Sequence, residues 1–194
     1  MDGPGHHRRA KAIAGIVWLL LSVFATISPA DKLWPEEEQR LNVGIHLFPA
    51  CLNADLSLSE KLTPEKILRI LVVHDQDPAH AQAVASGLRE LDDVGGYPLQ
   101  VDTVSLTALG AHETERVSAL FIATPGIQSD IFNRWARQHH TMVFSPFAGD
   151  VERGAVAGLY VSDRILPSVN LSQAEQAGIR FKPFFLRVAK HHDE

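Results

Sequence analysis

Apolar positions change their spacing from segment to segment along this chain, and the spacing predicts its elements. Leu41, Ile45, Phe48 and Leu52 recur at i, i+4, i+7 and i+11, one face of a helix. Pro35 with Glu36, Glu37 and Glu38 suits that helix's first turn, where carboxylates meet the positive end of the dipole. Pro49 should kink or end it. Asn53 to Lys66 is polar, carries Thr63-Pro64 and reads as a connector. Ile67 to Val73 is almost continuously apolar, as in a strand covered on both faces. Asp77-Pro78 can cap a helix whose Ala81, Val84, Ala85, Leu88 and Leu91 share a face. Gly95-Gly96-Tyr97-Pro98 is a turn, Leu99 to Val104 alternates like a strand, and Ala119 to Ala123 is another buried strand. Ile127, Ile131 and Trp135 mark a further helix, and Thr141 to Ser145 a fourth strand.

The rhythm differs at the end. Gly158 to Ser162 and Ile165 to Leu171 predict two strands joined at Asp163-Arg164, an antiparallel edge. Ser172 and Glu175 form a capping box for a short helix that stops at Gly178. A last helix is expected from Pro183 to Lys190, His191 and His192, cations suited to a helix C-terminus. Strand–helix alternation predicts an α/β layered sandwich with a mostly parallel Rossmann-like sheet, an antiparallel C-terminal edge and flanking helices. The expected organisation is a leader at 1–30, a helix and connector at 31–66 and an α/β domain at 67–194, one globular domain overall.

The leader carries His6, His7, Arg8, Arg9 and Lys11, then an uncharged, mostly apolar stretch from Ala12 to Ile27. It ends in Ser28-Pro29-Ala30, small residues at the positions a signal peptidase reads. The stretch is shorter than the roughly twenty residues a membrane-spanning helix needs. Cleavage after Ala30 and export to the periplasm are expected, with an uncleaved inner-membrane anchor as the alternative. The 194-residue chain has net charge −5; cleavage removes Arg8, Arg9, Lys11 and Asp2 and leaves 164 residues at −7. Such a chain lacks the basic surplus of a nucleic-acid binder. One cysteine excludes a disulfide framework and a Cys-based zinc site. Cys51 lies far beyond the apolar stretch, so no lipid anchor is expected, and it reads as a small buried hydrophobe.

Candidate chemistry is sparse. Of ten histidines, two fall in the leader, and the pairs His139-His140 and His191-His192 cannot aim neighbouring rings at one ion. No metal or cofactor is expected. The run from Ile70 to Asp77 resembles the magnesium-binding corner of response-regulator receiver domains, and Lys182-Pro183 their lysine–proline pair. Ala123-Thr124-Pro125-Gly126 stands where the phosphoacceptor aspartate should be, so Asp75 and Asp77 read as helix caps. Neither Gly-x-Ser-x-Gly around Ser145, Ser162 or Ser168 nor a phosphate-binding glycine loop occurs. No catalytic residue is assigned and a non-enzymatic protein is expected. Asp150, Glu152 and Arg153, between Gly149 and Gly154, form either a solvated turn or a recognition loop.

From Gly158 the chain reads Gly-Leu-Tyr-Val-Ser-Asp-Arg-Ile-Leu-Pro-Ser-Val-Asn-Leu-Ser-Gln-Ala-Glu-Gln-Ala-Gly-Ile. This resembles the C-terminal signature of the YfiR family of exported bacterial regulators, carried here by Gly158, Arg164, Asn170, Leu171 and Gly178. The family's N-terminal aromatic helix and cysteine pairs have no counterpart, so disulfide switching is not implied. The resemblance implies a periplasmic regulator acting by contact with an inner-membrane signalling protein, such as a diguanylate cyclase, or with an export system, and allows a homodimer. Physically, Asn170 would satisfy backbone groups at a strand end, and Gly178 would supply a positive-φ helix stop. The alternative is a periplasmic small-molecule-binding protein resembling one lobe of an ABC-type substrate-binding protein. Its ligand would sit at the strand ends near His74, Thr124 and Ser145, with Asp150 and Arg153 as further candidate contacts.

Overall fold

A computed structural model describes residues 35–192; the expected leader and its cleavage point lie outside the described residues. Helix α1 (Pro35–Asn53) starts at the proline and buries Leu41, Gly44, Phe48, Cys51 and Leu52. Pro49 does not end it. A proline inside a helix costs about 3 kcal/mol, whereas fully burying a large apolar side chain returns about 1.5–3 kcal/mol. Phe48, Cys51 and Leu52 are all at most 1% exposed, so packing outweighs the lost hydrogen bond.

The expected connector is partly structured. Its 3-10 turn, Leu58–Lys61, buries both Leu58 and Lys61. Lys61 pairs with the buried Asp55, which also accepts from the Ser57 N–H at 2.9 Å and hydroxyl at 2.8 Å. Burial holds the Lys61 amine below the usual lysine range, and the Asp55 charge opposes that shift.

Strand β1 (Leu68–His74) leads to helix α2 (Pro78–Arg89), where Asp77 caps the helix by accepting from the His80 N–H at 2.9 Å. The short β2 (Asp93–Val94) turns through Gly95 and Gly96, both at positive φ, into β3 (Tyr97–Ser105). A 3-10 segment (Leu106–His112) precedes β4 (Ala119–Ile122), helix α3 (Ser129–His139) and β5 (Met142–Ser145). The chain ends with β6 (Ala157–Val161), β7 (Ile165–Asn170), α4 (Leu171–Gln176), α5 (Pro183–Leu186) and β8 (Lys190–His192).

Among the described residues these strands form one eight-stranded sheet in the order β2-β3-β1-β4-β5-β6-β7-β8. Only β2 with β3 and β6 with β7 pair antiparallel, so the fold is α/β with a mostly parallel sheet and flanking helices. Strands β4 and β5 are buried along their whole length, and β1 nearly so, which is why they read as unbroken apolar runs. Helix α1 seals one face: the Phe48 ring meets Phe121 of β4 and Phe144 of β5 edge-on, at 5.5 and 5.3 Å.

Two expectations near the C-terminus are corrected. Asn170, not Ser172, caps α4, accepting from the Gln173 N–H at 3.0 Å, so the helix starts before the expected capping box. The last helix stops at Leu186, and Lys190–His192 instead pair in parallel with Ser168, Val169 and Asn170. Without them the outer edge of β7 would leave donors and acceptors unpaired, and a three-residue strand is too short to show alternation. The antiparallel pair therefore lies one strand inside the edge.

Candidate functional site

Strands β3 and β4 follow one another in the chain but flank β1 on opposite sides. The carboxyl ends of β1 and β4 are therefore the sheet's topological switch point, the place where open α/β sheets take ligands. His74 closes β1 there, only 8% exposed, and its buried Nδ1 has no hydrogen-bond partner among the described residues. Leaving a buried polar atom unpaired costs about 1–3 kcal/mol. The Asp75 N–H donates to the Thr124 hydroxyl at 3.2 Å and ties the two strand ends together. Gln76 is held at φ +63, an uncommon conformation for a residue with a side chain.

The loop after β5 holds the second group. The Ser145 hydroxyl donates to Asp150 Oδ2 at 2.5 Å, and Arg153 pairs with the other carboxylate oxygen while donating to the Ala148 carbonyl at 3.3 Å. Asp150 is 1% exposed. The corner between the glycines is therefore divided: Glu152 and Arg153 are exposed, as in a solvated turn, while the Asp150 carboxylate faces inward as its internal anchor. Gly154 is required, because a Cβ there would lie 2.0 Å from Asn133 Oδ1, at φ +126.

The signature residues divide. A Cβ on Gly158 would lie 2.2 Å from the Ser145 carbonyl oxygen, so glycine permits the approach of β6 to β5. Besides capping α4, Asn170 donates through Nδ2 to the Val151 carbonyl at 3.0 Å and so braces the Asp150 loop. His192 of β8 approaches the same loop, 3.5 Å from Glu152. Leu171 opens α4, half-buried. Gly178, at φ +67, ends its helix beside His140, at the amino end of β5. Arg164 is exposed in the hairpin turn, 3.8 Å from Asp163, and touches none of this.

Between the loops after β4 and β5 and the first turns of α1 lies a hollow of about 570 Å³, lined by Glu36, Arg40, Gly126, Phe147, Asp150 and Arg153 among others. Asp150 and Arg153 are thus brought together; His74 and Thr124, at the ends of β1 and β4, lie outside that lining. Sequence reasoning missed Arg40. It bonds Glu36 at 3.3 Å, an i,i+4 pair typical of any exposed helix face, and reaches the Pro146 carbonyl at 3.5 Å across the fold.

A second hollow, about 620 Å³, opens at the amino ends of β4 and β5. Its groups are engaged: Lys61 by Asp55, Arg116 by the Glu60 carbonyl and His140 by the Ala177 carbonyl. Burial pushes the Cys51 thiol up to about 12, so it is no nucleophile at neutral pH. Among the described residues no three His, Cys, Asp or Glu side chains gather as a metal site, and no helix is long and apolar enough to cross a membrane.

Neither a protein-family model nor a curated protein matches this chain. Solved structures similar to it include the following two. The ABC domain from Streptococcus pneumonia in complex with L-Trp superimposes with a TM-score of 0.51 at 12% identity, over 72% of this chain and 61% of that one. The ligand-free, open structure of a substrate binding protein with adhesive properties from Clostridium difficile gives 0.50 at 15% identity, over 71% and 58%. What is shared is the fold. The chain spans about three fifths of the length of each neighbour, and a shared fold leaves function to be argued from the site.

Proposed function

We propose that this chain is an exported, non-enzymatic binding module that takes a small ligand in the hollow at the carboxyl ends of β4 and β5. The observation that carries this reading is a 570 Å³ hollow, walled by an anchored Asp150–Arg153 pair, at the carboxyl ends of β4 and β5, the sheet end that takes ligands in open α/β folds and one strand along from the β1–β4 switch point. The volume lies within the range of small-molecule sites, about 300–1,000 Å³. Fold similarity to a substrate binding protein supports it at the level of architecture. A thermal-shift screen of the purified chain against a metabolite panel tests the reading. A true ligand at 100 times its Kd adds about 2.7 kcal/mol of stability. That rise should vanish in Ala148→Trp, which fills the hollow from an exposed position. No saturable rise with any compound, or an equal rise in the variant, refutes the reading.

A second reading is favoured by the YfiR-like signature, namely regulation by contact with an inner-membrane signalling protein. The signature hairpin exposes Val161 and Ile165, at 45% and 46%. Capture of the mature chain on solubilised membranes should then recover an inner-membrane signalling partner, and Val161→Asp should abolish the capture. Retention of the partner by Val161→Asp counts against the hairpin as the contact.

A further inference from the structure

Arg40 and Glu36 wall not one space but two. On one side lies the polar hollow; on the other, between α1 and the β6–β7 hairpin, lies an apolar annex of about 80 Å³ lined by Val43, Leu159, Val161 and Ile165. The hollow presents both signs of charge. The contacts of Arg153 to Asp150 and Ala148 run through Nη2 alone, which leaves most of a five-donor fork able to receive a carboxylate. Asp150, 1% exposed and held within its own loop by Ser145 and Arg153, is poorly placed to serve a second cation. Glu36, 77% exposed and held only at its edge by Arg40, can.

We propose that the ligand is a zwitterion with a compact aliphatic side group, the chemistry of a branched-chain α-amino acid. This rests on the binding reading above. The carboxylate lies toward Arg153, the ammonium toward Glu36, and the side group enters the annex past Arg40. Size favours a small group: the annex, open to solvent beside Val161 and Ile165, has about half the volume of the roughly 150 Å³ cavity that accommodates benzene, a closer match to an isobutyl group than to an indole.

Isothermal titration of the full chain with L-leucine, 4-methylpentanoate, 3-methylbutylamine and L-tryptophan tests this. L-leucine should bind saturably. The acid lacking the ammonium and the amine lacking the carboxylate should each bind at least about ten-fold more weakly, the loss of one charge-assisted contact. L-tryptophan should bind more weakly than L-leucine. Val161→Trp, which fills the annex from an exposed site, should weaken L-leucine by about ten-fold or more and leave the melting temperature unchanged. Equal binding of either single-charge analogue, or tighter binding of L-tryptophan, overturns the proposal. If L-leucine gives no heat while another metabolite stabilises the wild type and not Ala148→Trp, the zwitterion is wrong and the binding reading stands. If no compound does so, both fall.

Discussion

Replacing Asp150 by alanine tests whether the loop after β5 is held from inside. The carboxylate is 1% exposed and makes two contacts of different worth. The bond from the Ser145 hydroxyl, 2.5 Å long and fully buried, is a hydrogen bond to a charged group worth about 1.5–3 kcal/mol. The pair with Arg153 is screened, because that side chain is 55% exposed, and adds less than about 1 kcal/mol. Asp150→Ala should therefore cost about 2–4 kcal/mol, and a chain of this size should lose about 5–15 °C in Tm. Urea denaturation of Asp150→Ala, Ser145→Ala, Arg153→Gln and the two double variants containing Asp150→Ala separates the contacts by double-mutant cycle, provided m is unchanged. The coupling of Asp150 to Ser145 should exceed its coupling to Arg153. A coupling to Ser145 below about 0.5 kcal/mol, or the reverse order, would refute the internal anchor.

Four further outcomes are expected. Gly158→Ala places a Cβ 2.2 Å from a backbone oxygen that cannot rotate away, so it should cost about 1–3 kcal/mol, toward the upper end, by the same denaturation measurement. Asp55→Asn strands the buried Lys61 ammonium and should cost about 3–5 kcal/mol, whereas the paired change Asp55→Leu with Lys61→Met should recover most of the loss in urea melts. The hydrogen bond from His112, with Arg69 close by, holds the Glu115 carboxyl below its ordinary value. A carboxylate depressed on folding stabilises above its unfolded pKa and loses that contribution as pH falls through the folded value. Glu115→Gln should accordingly flatten the acid limb of a stability–pH curve, and an unchanged limb would contradict this role. Cys51, with its thiol pushed up to about 12, should resist a thiol reagent at pH 8 until urea unfolds the chain.

The sheet was legible because β1, β4 and β5 carry covered apolar runs, and their burial leaves little choice of residue. The helix stop at Gly178 and the cap at Asp77 were legible for local reasons, a positive φ and a carboxylate before proline. The hollow at the ends of β4 and β5 was only half legible. Asp150 and Arg153 stood out, but charges bracketed by glycines usually face water, and nothing local reveals that Ser145 draws the carboxylate inward. Arg40 was invisible because its partner across the fold is a backbone carbonyl more than a hundred residues away. The end of α1 and the start of β8 were misread for one reason: tertiary contacts, burial in one case and edge pairing in the other, overrode a local rule.

The bond from Asn170 to the Val151 carbonyl ties the order of assembly of the last described strands to the shape of the Asp150 loop. Asn170 is itself paired with His192 in β8, and His192 reaches the loop at Glu152. The brace on the Asp150 loop is therefore complete only when the last described strand has docked. A polypeptide emerging N-terminus first would assemble β1, β4 and β5 with the loop held only by its internal anchor on Ser145, before the outer brace from Asn170 exists. Full ordering of the Asp150 loop should arrive late, on docking of β8, and a chain cut before Lys190 should keep its inner strands while that loop loosens.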